Sequence, residues 1–203
     1  MPAIVTAGVR LAVPYDAVEV PDVSVHDRGV TLLEGRNGSG KSAFVELCAG
    51  TVRPARGSAR VLGLDPADPR IVRSRSVCRT RVALAPDASV RQHLRLFAGA
   101  AGEPEATYLE RFALHGELAW LDVPAARLST GLARLAWVVL TTTPQRDLVL
   151  LDEPFLGLDA VAQDILVREL DGWAQSSAVL LVDHDAERPW SDRVDRIRMG
   201  EVA

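Results

Sequence analysis

The sequence predicts an α/β fold built around a parallel sheet, and three observations predict it. The apolar run Val30-Thr31-Leu32-Leu33 leads through a glycine-rich turn into the helix-like run Ala43-Phe44-Val45-Glu46-Leu47-Cys48. A second run, Leu148-Val149-Leu150-Leu151, ends in Asp152-Glu153. A third, Ala178-Val179-Leu180-Leu181-Val182, ends in Asp183-His184-Asp185. Strands apolar on both faces are the pattern of parallel sheets with helices on each side.

The remaining elements follow in order. Residues 3–34 read as short strands at Ile4-Val5-Thr6, at residues 9–13 and at Val18-Glu19-Val20. Pro14, Pro21 and Asp27-Arg28-Gly29 punctuate them. After the first helix, Arg56-Gly57-Ser58 reads as a turn and residues 59–64 as a strand. Residues 81–85 read as a further strand, ended by Pro86-Asp87. Val90, Leu94, Leu96 and Phe97 then recur at helical spacing, as do Tyr108, Leu109, Phe112 and Leu114. Residues 88–122 are therefore expected to form a mostly helical lobe within the α/β core. Residues 129–141 predict a helix capped by Ser129 or Thr130. Residues 160–173 predict an amphipathic helix, and a short strand around residues 196–199 closes the chain.

The bulk numbers narrow the function. A chain of 203 residues with 48% hydrophobic content suits one domain over residues 1–203. A net charge of −4 does not favour a nucleic-acid surface. Arg73, Arg75, Arg79 and Arg81 form a basic cluster, read as a solvated face. Cys48 and Cys78 lack metal-ligand spacing and are expected as small buried thiols in a reduced compartment. No signal-peptide pattern opens the sequence, and no apolar run approaches the ~18 residues of a membrane span. If the chain serves a membrane, another polypeptide is expected to cross it.

Gly35-Arg36-Asn37-Gly38-Ser39-Gly40-Lys41-Ser42 fits G-x-x-x-x-G-K-[ST], the phosphate-binding loop of nucleotide hydrolases, between a strand and a helix as that motif requires. Glycines let several N–H groups aim at one point, and the helix N-terminus adds about half a positive charge. Lys41 is the only lysine and Asn37 the only asparagine in an arginine-rich chain. A compact ammonium fits among phosphate oxygens where a planar guanidinium does not. Lys41 would reach the β- and γ-phosphates, and Ser42 would sit on Mg²⁺. Asp152 suits Mg²⁺, a hard cation that takes oxygen ligands. Glu153 could orient or deprotonate an attacking water, and His184 could hydrogen-bond that water or the γ-phosphate. The implied reaction is phosphoryl transfer from a nucleoside triphosphate to water.

The order and spacing of these parts resemble the ATP-binding domain of ABC proteins over essentially the whole chain. Gly35 to Ser42 looks like its Walker A, and Leu148 to Glu153 like its Walker B with the catalytic glutamate. Asp159 falls at the D-loop acid and His184 at the switch histidine. Tyr15 falls where the family stacks an aromatic ring on adenine. The resemblance implies a P-loop core with a parallel sheet, an N-terminal antiparallel β-subdomain and an inserted helical subdomain at about 88–142. It also implies two motif departures. The signature Leu-Ser-Gly-Gly-Gln reads Leu128-Ser129-Thr130-Gly131-Leu132, keeping Ser129 and Gly131, which in the family face the partner subunit's ATP. The Q-loop glutamine is replaced by Asp87, a candidate Mg²⁺ ligand whose alternative role is capping a helix that starts near Ala88. Implied partners are a second ATPase subunit and integral membrane transporter subunits, with no nucleic acid. The implied location is cytoplasmic, peripheral on the inner face of the cell membrane. An ATPase of DNA repair or the ribosome, or a weakly active member of a heterodimer, remains the alternative.

Overall fold

The computed structural model describes residues 1–12, 17–116, 118–183 and 194–200. In chain order its strands are β1 (Ile4–Ala12), β2 (Ala17–Glu19), β3 (Ser24–Val25), β4 (Gly29–Glu34), β5 (Arg56–Val61), β6 (Arg75–Cys78), β7 (Leu148–Asp152), β8 (Ala178–Val182) and β9 (Val194–Arg198). Its α-helices are α1 (Lys41–Cys48), α2 (Val90–Ala101), α3 (Glu105–Ala113), α4 (Thr130–Thr142) and α5 (Ala160–Trp173). β1 pairs antiparallel with β2, β3 and β5. The second sheet runs β6-β7-β8-β4-β9, and every pairing in it is parallel.

Side-chain alternation explains why the apolar runs are continuous. Val30, Leu32, Val149, Leu151, Val179 and Leu181 point to one face and pack with residues of α2, α3, α4 and α5. Leu33, Leu148, Leu150, Ala178, Leu180 and Val182 point to the other, against Phe44 and Leu47 of α1 and the inner residues of β1 and β5. With both faces covered, these strands are apolar along their length, with Thr31 of β4 the buried polar exception among the described residues of β4, β7 and β8 before Asp152. Each such side chain stabilises the fold by about 1.5–3 kcal/mol on burial.

The helical lobe is built by local rules. Ser89 caps α2 through a reciprocal pair: its Oγ accepts from Gln92 N at 3.3 Å, and the Gln92 side chain accepts from Ser89 N at 2.7 Å. Gly102 ends the helix in the left-handed conformation. Tyr108 of α3 donates to the Thr143 carbonyl at 2.7 Å, pinning α3 to the end of α4.

Four expectations are corrected. Residues 4–12 form one strand, not two, with a register irregularity against β5 between Ala7 and Arg10. Arg56-Gly57-Ser58 is strand rather than turn, because it pairs with that long β1. No strand forms at residues 81–85; the sheet partner of β7 is Arg75–Cys78, with Ser76 and Cys78 buried. Nor is the basic cluster simply a solvated face. Arg75 donates to the carbonyls of Cys48 and Pro66 at 3.0 and 2.6 Å, and Arg79 forks onto Glu46 of α1. Both cysteines are free and buried, as expected, and burial pushes the Cys78 thiol up to about 11.

Candidate functional site

β4 delivers the chain to the carboxyl edge of the parallel sheet, and residues 35–40 turn it into α1. Gly40 sits before the first helical residue with φ of 93°. A Cβ there would lie 2.3 Å from Val18 Cγ1, so position 40 excludes larger residues on both conformational and packing grounds. Ser39 N donates to the Arg36 carbonyl at 3.1 Å, and Phe44 N to the Gly40 carbonyl at 2.9 Å. Lys41 is 7% exposed, and its Nζ donates to the carbonyls of Gly35 at 2.7 Å and Arg36 at 3.1 Å. The ammonium is thereby folded over the loop that its own backbone forms. Gly35, Asn37, Gly38 and Ser42 lie exposed around it. An exposed ring of main chain at the start of an eight-residue helix is an anion-binding geometry.

The acidic pair lies on the same edge. Leu32, Leu181 and Leu151 stand in one row across β4, β8 and β7, and Asp152 pairs with Val182 one residue further on. Only β8 separates the phosphate loop from Asp152. Asp152 is 5% exposed, and its Oδ1 is buried without a hydrogen-bond partner among the described residues. An orphaned buried carboxylate oxygen is expensive unless a cation or water meets it. Glu153 has φ of 51°, which is rare for a residue with a side chain. Its N–H donates to the Val182 carbonyl at 3.0 Å, and its carbonyl accepts from Leu156 N at 3.3 Å. The chain thus kinks at the residue expected to face the attacking water, a form of strain that concentrates at functional sites.

Ser129 and Gly131 line an open cleft of about 410 Å³ with Thr130, Leu132, Gly157 and Asp159. Ser129 is the N-cap of α4, its Oγ accepting from Leu132 N at 3.2 Å, so its hydroxyl hydrogen can donate outward. A Cβ on Gly131 would lie 2.7 Å from the Gly157 carbonyl oxygen, so the first turn of α4 and the turn at Gly157 touch through a position only glycine fits. Asp159 caps α5, accepting from Ala162 N at 2.8 Å.

Asp87 is exposed in the turn closed by Ala88 N and the Ala85 carbonyl, two residues before the cap of α2. The cap is Ser89, so capping is not the role of Asp87. Tyr15 and His184 lie outside the described residues. Sequence reasoning missed Thr80, which donates to the Asp152 main-chain oxygen, and Arg134 and Trp137, which donate to the carbonyls of Arg79 and Thr80. A charge inside the apolar run of α4 was the available signal for Arg134.

A parallel sheet carrying a lysine-bearing glycine loop and an acidic strand end on one edge defines a nucleotide-binding α/β protein. A family model described as ABC transporter matches residues 19–156. The cytochrome c biogenesis ATP-binding export protein CcmA of Bordetella bronchiseptica is 34% identical over 196 residues, covering 94% of this chain and 84% of that protein. ABC transporter A family member 3 of Arabidopsis thaliana is 29% identical over 185 residues, covering 86% of this chain but 20% of that protein. The solved structure of an ATP-binding subunit of an ABC transporter is similar at a TM-score of 0.80 and 28% identity, over 97% of this chain and 88% of that one. An ATP-binding cassette solved as a dimer bound to ADP and Pi has the same fold, with a TM-score of 0.82 at 15% identity over 98% of this chain and 97% of that one. The chain belongs to the ABC transporter family. It is an ATP-binding, ATP-hydrolysing subunit that powers transport.

Proposed function

We propose that this chain works as a peripheral ATPase, paired with a second ATPase subunit and docked on membrane subunits of an exporter. The export reading rests on the 34% identical relative, whose name is that of an ATP-binding export protein. Among the described residues no helix is long and apolar enough to cross a membrane.

The observation that carries the catalytic reading is the shared sheet edge, with the Lys41 loop on one side of β8 and the unpartnered Asp152 Oδ1 on the other. Lys41 exchanges its two carbonyl partners for β- and γ-phosphate oxygens. Ser42 and Asp152 would hold Mg²⁺, and Asp87 is the further candidate ligand. Mg²⁺ supplies charge neutralisation across the β- and γ-phosphates when bound. Glu153 takes a proton from the attacking water, and His184 hydrogen-bonds the γ-phosphate. Tyr15 stacks on the adenine ring. Ser129 and Gly131 meet the γ-phosphate of the partner subunit's ATP, and Asp159 fixes the start of α5 beside them. Catalysis of this kind is positioning and electrostatics, with no covalent intermediate on the protein.

Equilibrium binding of ATP tests the reading. Lys41→Ala removes charged hydrogen bonds worth about 1.5–3 kcal/mol each, so affinity falls by at least about tenfold. Unchanged affinity in Lys41→Ala rejects the phosphate-loop assignment.

A further inference from the structure

Arg134 of α4 is 4% exposed, a buried cation in an otherwise apolar helix face. Its terminal nitrogens reach two successive main-chain carbonyls: Nη1 donates to Arg79 O at 3.0 Å, and Nη2 donates to Thr80 O. Trp137 adds Nε1 to the same Arg79 carbonyl at 3.1 Å. Three donors from one helix therefore hold the peptide step that follows β6. Two side chains leave that step in other directions. Arg79 forks onto Glu46 of α1 at 2.6 and 2.9 Å. Thr80 Oγ1 donates to the main-chain oxygen of Asp152 at 3.4 Å. Helix α1 starts at the phosphate loop, and Asp152 carries the orphaned Oδ1. Ser129–Gly131, at the start of α4 one turn before Arg134, faces the open cleft.

We propose that Arg134 is a positioning residue that ties the Ser129–Gly131 end of α4 to the carboxyl end of β7 through Thr80. The proposal rests on the reading of Asp152 as a metal-holding residue. Burying a guanidinium needs compensation, and here two successive main-chain carbonyls supply it. A shift of α4 when its N-terminus meets a ligand moves the Arg79–Thr80 step, and Thr80 carries that movement to the Asp152 backbone. Outer hydrogen bonds of this kind orient metal-holding groups. Arg79 holds the same step to α1 through Glu46, an attachment that involves neither Arg134 nor the Thr80 hydroxyl.

The test measures Mn²⁺ binding by electron paramagnetic resonance on the full chain with a non-hydrolysable ATP analogue. Variants are Thr80→Val, Arg134→Gln, both together, and Asp152→Asn. Thr80→Val keeps side-chain shape at a half-buried position, so it answers the question even where Arg134→Gln folds poorly. The expected result is about tenfold weaker Mn²⁺ binding in Thr80→Val and in Arg134→Gln. The double variant should be no weaker than either single one, because both act through one connection. Nucleotide affinity in chelator should stay within about twofold of the parent in all three. Independent, multiplying effects of the two substitutions, or Mn²⁺ affinity unchanged in Thr80→Val while Asp152→Asn loses it, overturn the coupling alone. Normal Mn²⁺ binding in Asp152→Asn overturns the metal reading and the coupling with it.

Discussion

Arg111 of α3 and Glu169 of α5 meet through two parallel hydrogen bonds, Nε to Oε1 at 2.7 Å and Nη2 to Oε2 at 3.0 Å, with side chains only 10% and 11% exposed. Nη1 of the same guanidinium donates to the hydroxyls of Thr142 and Thr143 at 2.6 and 2.9 Å, and its carbon lies 4.7 Å from the Trp173 ring centre. One side chain thus joins the helical lobe, the end of α4 and the helix that begins at Asp159.

Removing one partner of such a pair strands a buried charge. Glu169→Ala should lower unfolding free energy by about 3 kcal/mol or more, read from denaturant midpoints at constant slope. Replacing Arg111 and Glu169 together with Met and Leu should recover much of it. A loss below about 0.5 kcal/mol in Glu169→Ala means the pair behaves as a surface contact.

His115, just after α3, predicts a pH dependence. Burial of its ring pushes its pKa down and Arg111 adds to that, against opposing pulls from Glu169 and Asp159. Neither ring nitrogen has a hydrogen-bond partner among the described residues. The unfolded chain therefore takes up this proton at higher pH than the folded chain does. Stability should fall as pH drops below about 6.5, the ordinary histidine value, and level off below the folded value. Thermal unfolding of the parent and His115→Phe at stepped pH isolates the effect. Parallel curves across that window contradict it.

Capping separates two neighbouring residues. Ser89→Ala should destabilise by about 1 kcal/mol, since Ser89 holds the cap of α2. Asp87→Gln should change stability far less. Its effect should lie in ATP titrations instead: tighter binding than the parent in chelator, because a repulsive charge is gone, and no such gain with Mg²⁺ saturating. Identical differences with and without metal remove Asp87 from the metal site.

Gly131→Ala places a Cβ 2.7 Å from the Gly157 oxygen. The start of α4 and the turn at Gly157 must separate, so hydrolysis should fall by about tenfold or more while ATP still binds the isolated subunit. Phosphate release and equilibrium binding, measured on the same preparation, give the comparison. Hydrolysis at the parent rate would show that this contact is dispensable.

What was legible in the sequence was local. The strand, loop and helix around Lys41 are contiguous, and the sheet puts them where the motif implies. The apolar runs ending at Asp152 and Val182 were readable because a sheet buried on both faces permits no other pattern. Residues 81–85 misled because their apolar alternation satisfies a strand's period, yet the strand beside β7 begins with a charge, Arg75, and hid behind it. The Arg134–Thr80 connection joins residues far apart in the chain, and local periodicity carries no trace of such a pairing. The role assigned to Tyr15 came from the family resemblance alone, whereas that of His184 was read from its place at the end of an apolar run.

The central claim is that Glu153 takes the proton of the water that attacks ATP. Glu153→Gln can hydrogen-bond that water but cannot accept its proton. Mixing the variant with Mg–ATP while following phosphate release and light scattering tests this most directly. The account predicts ATP binding, a lasting ATP-dependent dimer and at least about a hundredfold loss of turnover. Phosphate release at the parent rate in Glu153→Gln would contradict it.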